Sequence, residues 1–207
     1  MFFRGGTEVS DKPIEFDDEL RFTRREWLAS TAFGPLAALT ASAQTGPAAL
    51  SASQMKTLEA FIDRLIPTDE LGPGAVAAGA QVYIDRVLAG PNATEKVQFL
   101  EGLEAVNAYA TRTQGAPLAD LSADKRDAIL KAIDDGAAQD LRPFFNRARR
   151  LTLEGMFGDP YYGGNKGFAG WDLIRYPGPR PAVDADMQRM DKAPAPYRRS
   201  AWGAQYK

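Results

Sequence analysis

The 207-residue chain contains no cysteine and no histidine. These two absences restrict function more than any residue present. They exclude protein-ligated iron–sulfur clusters, thioether-attached haem, Cys/His zinc sites and every nucleophilic triad built on imidazole. Net charge is also small: 25 Lys/Arg against 27 Asp/Glu leave −2, which offers no cationic footprint for nucleic acid. The mildly apolar run from Ser30 to Leu39 is broken by Gly34-Pro35, and it falls short of the roughly 20 residues that span a bilayer. No stretch alternates at period two for more than a few residues, which argues against a parallel α/β fold and its nucleotide site. What remains, 44% apolar and 25% charged residues, is the composition of a globular domain.

Near the N-terminus, Thr23-Arg24-Arg25-Glu26-Trp27-Leu28-Ala29 precedes that apolar run, which ends in Ala41-Ser42-Ala43. A twin arginine, an aromatic–Leu pair and an A-x-A cleavage pattern resemble a twin-arginine (Tat) export signal. The expectation is a leader over 1–43, recognition of Arg24 and Arg25 by the Tat translocase, and a periplasmic or cell-envelope protein exported folded. The bland alternative is a helix whose arginine pair is solvated. The acidic stretch Glu15–Glu19 has no counterpart in the export pattern. The leader holds five of the Lys/Arg and seven of the Asp/Glu, leaving 20 of each in the remainder. A neutral body has little self-repulsion to keep it from other surfaces, which favours a subunit over a free monomer.

From 44 to 158 the apolar residues recur at spacings of three and four, the mark of amphipathic helices. Ser51 or Ser53 caps a first helix bearing Met55, Leu58, Phe61, Ile62, Leu65 and Ile66, closed by Pro67. After the turn Leu71-Gly72-Pro73-Gly74, a second carries Val76, Ala80, Tyr83, Ile84, Val87 and Leu88 and ends at Gly90-Pro91. A third, from about 94 to 112, is assigned the stripe Val97, Leu100, Leu103, Val106 and Tyr109. Ser122 caps a fourth with Ile129, Leu130 and Ile133, and a fifth starts near Pro143. The fold class is therefore all-α: a small bundle of four or five short helices, then an irregular Gly- and aromatic-rich arm over 159–207. Such an arm presents more aromatic surface than a small bundle covers, and it is expected to lie on a partner.

The segment Thr152–Pro179 concentrates seven of the 19 glycines together with Phe157, Tyr161, Tyr162, Phe168 and Trp171. Long ordered loops of this kind are usually functional. Gly163-Gly164-Asn165-Lys166-Gly167 lacks the spacing of a phosphate loop and reads as a tight turn. Glu154, Asp159 and Asp172 match no calcium-loop spacing. Asp159-Pro160 reads as a turn opener and Glu154 as a salt-bridge partner. Arg147, Arg149 and Arg150 form either a solvated face or a patch for an acidic subunit.

Thr152-Leu153-Glu154-Gly155-Met156-Phe157-Gly158-Asp159-Pro160, Tyr162-Gly163-Gly164-Asn165, Gly170-Trp171 and Tyr176-Pro177-Gly178 together resemble the signature of the gluconate 2-dehydrogenase subunit 3 family. Ile62–Pro67, Gly72–Ala75 and Tyr83-Ile84-Asp85 are similar to its N-terminal part, so the resemblance covers about 50–180. Family members often have histidine where this chain has Leu151, which argues against catalysis there. The resemblance implies a non-catalytic small subunit of a heteromeric sugar or polyol dehydrogenase. FAD and the catalytic base then belong to a large glucose–methanol–choline-type (GMC) subunit, often accompanied by a cytochrome c subunit, and this chain binds no cofactor or metal. Its role is to support the folding, stability and Tat export of the flavoprotein. The expected partner interface comprises Gly155, Met156, Phe157, Asp159, Pro160, Tyr162, Gly163, Gly164, Asn165, Trp171, Tyr176 and Pro177. Two other readings stay open: an envelope enzyme using Glu154 and Asp159 as acid and base, and a monomeric periplasmic ligand-binding module.

Overall fold

The computed structural model describes residues 48–180, 182–189, 191 and 193–202. The 1–43 leader with Arg24 and Arg25 lies outside the described residues. Six α-helices follow in order: α1 Ala52–Leu65, α2 Ala80–Ala89, α3 Lys96–Gln114, α4 Ala123–Asp134, α5 Arg142–Phe157 and α6 Ala169–Leu173. Among the described residues no strand occurs, the nearest approach being one isolated bridge between Asp69 and Gly72. The chain is therefore mainly α, as its periodicity predicts. None of these helices is long and apolar enough to cross a membrane.

Local chemistry sets the helix ends. Ser51 and Gln54 form a reciprocal capping box at α1, each side chain satisfying the other's backbone amide. Gly115 and Gly136 follow α3 and α4 in the left-handed conformation that ends helices cheaply. Pro143 sits in the first turn of α5, where an amide donor would be unused.

The core is aromatic where α1, α3 and α5 meet. Phe61 and Phe99 lie edge-on or tilted against Phe144, with ring centres 5.3 and 5.2 Å apart, and Phe145 is 5.9 Å from Phe61. A methyl group at Gly102 would overlap the Phe144 ring, so the glycine lets α5 press against α3. Here the third-helix stripe departs from expectation. Val97 is solvent-exposed, and Leu100 and Tyr109 are only partly buried. The buried face is instead Phe99, Leu103, Val106 and Ala110. Both stripes have helical spacing; burying Phe99 against Phe144 removes more apolar area than burying Val97 would.

Polar side chains fasten the periphery. Asp85 of α2 accepts hydrogen bonds from the amides of Ala49 and Leu50 (2.8 and 2.9 Å) and pins the chain ahead of α1. Asn107 of α3 donates to Thr57 and accepts from the Leu118 amide. Arg64 of α1 grips both oxygens of Asp127 on α4 (2.6 and 2.9 Å). That bond holds the Asp127 carboxyl below the usual carboxylate range. The pair is half-open to solvent, so its contribution is less than about 1 kcal/mol.

Candidate functional site

The Gly/aromatic segment grows out of the C-terminal end of α5. That helix lies on α2, and Gly155 marks the crossing. A β-carbon there would stand 3.0 Å from the Ala80 Cα and from the Tyr83 side chain. The close approach leaves the Gly155 carbonyl reachable by the chain that follows.

Asn165 then ties the segment into a knot. It is fully buried and left-handed, with φ 47°. Its amide donates to the Gly155 carbonyl and its Nδ2 to the Gly158 carbonyl, both at 2.8 Å. Its Oδ1 accepts from the Gly170 amide at 2.8 Å, supplying a partner to an amide in the first turn of α6. A methyl group at Gly164 would overlap the Gly155 carbonyl oxygen, and one at Gly170 the Met156 carbonyl oxygen. The amides of Gly163, Asn165, Lys166 and Phe168 donate to the carbonyls of Pro160, Gly155, Ala78 and Asn165 respectively. Those four donors are consumed within the fold.

The carboxylates are engaged separately. Asp159 caps the turn Pro160–Tyr162 by accepting from the Tyr161 amide (2.9 Å), and also accepts from the Ala201 amide (2.7 Å). Asp172 pairs with Arg198 through both oxygens (2.7 and 2.6 Å). Glu154 accepts from Arg150 (3.0 Å) and from the Tyr83 hydroxyl (2.9 Å). Burial first, then this bond and the charge of Glu154, push the Tyr83 phenol up to about 12. Arg150 and Arg147 also share Glu95, at 3.3 and 3.1 Å, so two of the three arginines at 147, 149 and 150 are held in a polar ladder rather than merely solvated. Glu154 and Asp159 thus each hold structure, and neither lines either of the two clefts described below. Among the described residues no three acidic side chains converge as metal ligands. Two open clefts of about 390 and 330 Å³ lie elsewhere, one around Ile133, Gly136 and Arg142, the other around Lys56, Glu59 and Arg126. Neither includes a residue of the Gly/aromatic segment.

The expected interface residues divide into two groups. Met156, Pro160, Gly164, Asn165 and Trp171 are covered by the chain itself. Trp171 is only 5% exposed, donates its indole NH to the Phe157 carbonyl (2.8 Å) and contacts Phe168 and Tyr176. Met156 and Trp171 are therefore packed within this chain. Gly155 is likewise consumed by the helix crossing, and Phe157, Gly163 and Pro177 are half-buried. Tyr162 and Tyr176 remain exposed, together with Tyr161 at 52% and Trp202 at 65%. Tyr161 meets Tyr162 edge-on at 5.3 Å and Trp202 at 5.9 Å.

Trp202 arrives by a strap. Residues 195–202 fold back along the segment: the Tyr197 amide donates to the Pro177 carbonyl (2.6 Å), Arg198 binds Asp172 and lies over Phe168, and the Ala201 amide reaches Asp159. Sequence reasoning missed this strap, the Asn165 knot and the Tyr83–Glu154 bond. Their one visible trace was the cluster Tyr197-Arg198-Arg199, cations beside an aromatic, in an otherwise Pro/Ala-rich tail.

The gluconate 2-dehydrogenase subunit 3 family model matches residues 52–178, more than half of the chain. The match begins at α1 and ends at Gly178, so the strap lies beyond it. No curated protein and no solved structure matches the chain.

Proposed function

Because the chain belongs to the gluconate 2-dehydrogenase subunit 3 family, we propose that it is the non-catalytic small subunit of an FAD-dependent sugar or polyol dehydrogenase. Family membership makes it an accessory subunit with a heteromeric partner. In the finer reading that partner is a large GMC-type flavoprotein, which holds FAD and the catalytic base, with a cytochrome c subunit relaying electrons. The small subunit stabilises the flavoprotein, and its Arg24-Arg25 leader takes the folded pair through the Tat translocase into the periplasm.

One observation carries this reading. Tyr161, Tyr162 and Trp202 form an exposed aromatic cluster on a platform whose own polar groups are bonded internally. Contiguous exposed aromatics on a rigid support mark contact surfaces, and Tyr and Trp dominate interface energetics. The carboxylates that an independent acid–base site would need are spent on structure.

The test is co-expression with the large GMC-type flavoprotein proposed as its partner. The flavoprotein is expected to be soluble, exported and active only together with this chain, and Arg24→Lys with Arg25→Lys should strand both inside. Tyr162→Ala and Trp202→Ala should each weaken association by about 2 kcal/mol while leaving the helical content unchanged. Sugar oxidation by the purified chain alone, or a flavoprotein fully active and exported without it, refutes the proposal.

A further inference from the structure

We infer that the strap over residues 195–202 is a latch that assembles the aromatic cluster, with Arg198 as the residue that positions Trp202. The latch is a property of this chain alone; that it governs docking rests on the reading of the chain as a subunit.

Trp202 joins the cluster only through the strap. Tyr161 and Tyr162 belong to the turn Pro160–Tyr162, just past the end of α5. Trp202 comes to lie 5.9 Å from Tyr161 because the strap is fastened where it crosses the segment. At its base Arg180 donates to the Ala195 carbonyl (2.6 Å). The Tyr197 amide donates to the Pro177 carbonyl (2.6 Å), Arg198 holds both oxygens of Asp172 (2.7 and 2.6 Å), and the Ala201 amide donates to Asp159 (2.7 Å). A β-carbon at Gly178, φ 95°, would overlap the Tyr197 carbonyl oxygen, so the crossing needs a glycine beneath it.

These catches are superficial. Ser200 is the one buried residue of 193–202, and no helix or strand runs through the strap. Arg198 and Asp172 are both half-exposed, so water and salt weaken their pair. Ordering the strap's backbone opposes every bond it makes. Few bonds set against that entropy describe an element that opens locally, well short of global unfolding. Of the catches, Arg198 alone acts through a side chain of the strap, and it also lies over the Phe168 ring, 5.6 Å from its centre.

With the latch open, Trp202 leaves Tyr161 and the cluster is reduced to two tyrosines. A partner that grips all three rings binds only the closed chain, and its apparent affinity falls with the closed fraction.

The experiment uses the full chain, with hydrogen exchange resolved at single amides, and its association with the large flavoprotein proposed as its partner. In the wild type, the Tyr197 and Ala201 amides should exchange faster than the Asn165 amide, which donates to Gly155 within the knot, and faster still as salt rises. Arg198→Asp sets like charge against Asp172. It should speed exchange at Tyr197 and Ala201 about tenfold, leave Asn165 unchanged and weaken association by up to about tenfold. Asp172→Arg with Arg198→Asp rebuilds the pair with its charges exchanged and should restore both. In a Trp202→Ala chain, Arg198→Asp should still speed exchange but weaken association no further, which separates positioning of Trp202 from direct contact of Arg198 with the partner. If Tyr197 and Ala201 exchange as slowly as Asn165 and ignore Arg198→Asp, the strap is a fixed part of the fold; the inference fails and the subunit reading survives. If the strap opens but Arg198→Asp associates as wild type, or weakens association equally with and without Trp202, the latch does not govern docking and the inference is again overturned without touching the subunit reading. If the wild-type chain forms no complex with the flavoprotein, the subunit reading fails and takes the docking role with it.

Discussion

Replacing Asn165 by alanine tests whether the Gly/aromatic segment is a self-supporting knot. The side chain is fully buried and makes two hydrogen bonds, to the Gly158 carbonyl and from the Gly170 amide. Its removal leaves both groups without their partner, at about 1–3 kcal/mol each. Alanine must also adopt φ 47°, which costs about 1–2 kcal/mol. The sum is about 3–8 kcal/mol, and for a domain of this size each kcal/mol shifts the midpoint by roughly 2–4 °C. Thermal unfolding followed by circular dichroism should therefore show a drop on the order of 10 °C. Asn165→Gly separates the contributions: it loses the same two bonds but accepts the left-handed backbone, so it should melt above the alanine variant. A shift under about 2 °C for alanine, or glycine melting no higher than alanine, would refute the reasoning.

Two further predictions follow from the same region. Gly164→Ala should prevent stable folding or cost more than about 3 kcal/mol, because its methyl group meets the rigid Gly155 carbonyl. Gly167→Ala, with open space around it and φ 63°, should cost only about 1 kcal/mol; equal melting points for the two would exclude the close approach at Gly155. Tyr83 should ionise near pH 12 instead of 10. Its raised pKa adds stability that is complete below pH 10 and lost as pH climbs from about 10 to 12. Phenolate absorbance should thus show a late step in the native protein, and Tyr83→Phe should remove it.

The parts of the fold legible in the sequence are those written in nearest neighbours. Ser51 announces a helix start and Asp159-Pro160 a turn, through bonds spanning four residues or fewer. The amphipathic stripes of α1 and α4 read correctly because a single face is apolar, and that of α2 holds from Ala80 on, Val76 lying in the turn before it. In α3 two overlapping stripes compete, and Phe144 on α5 chooses between them. The candidate site was found by its composition, yet which of its aromatics point outward was not legible. Trp171 is covered because the Phe157 carbonyl receives its indole NH and Tyr176 folds over it. Tyr161 is exposed but gains Trp202 from 41 residues along the chain. Such pairings depend on how the backbone returns on itself, which no local pattern records.

The strap has a practical consequence. Arg180 donates to the Ala195 carbonyl (2.6 Å) and the Tyr197 amide to the Pro177 carbonyl, so the intervening arm is tied at its base while Val183 and Met187 stand in solvent. Lengthening a loop whose ends are already held costs only about 0.6 kcal/mol per doubling. An affinity peptide or fluorophore-bearing sequence placed near Met187 would therefore ride on the subunit without loosening Trp202.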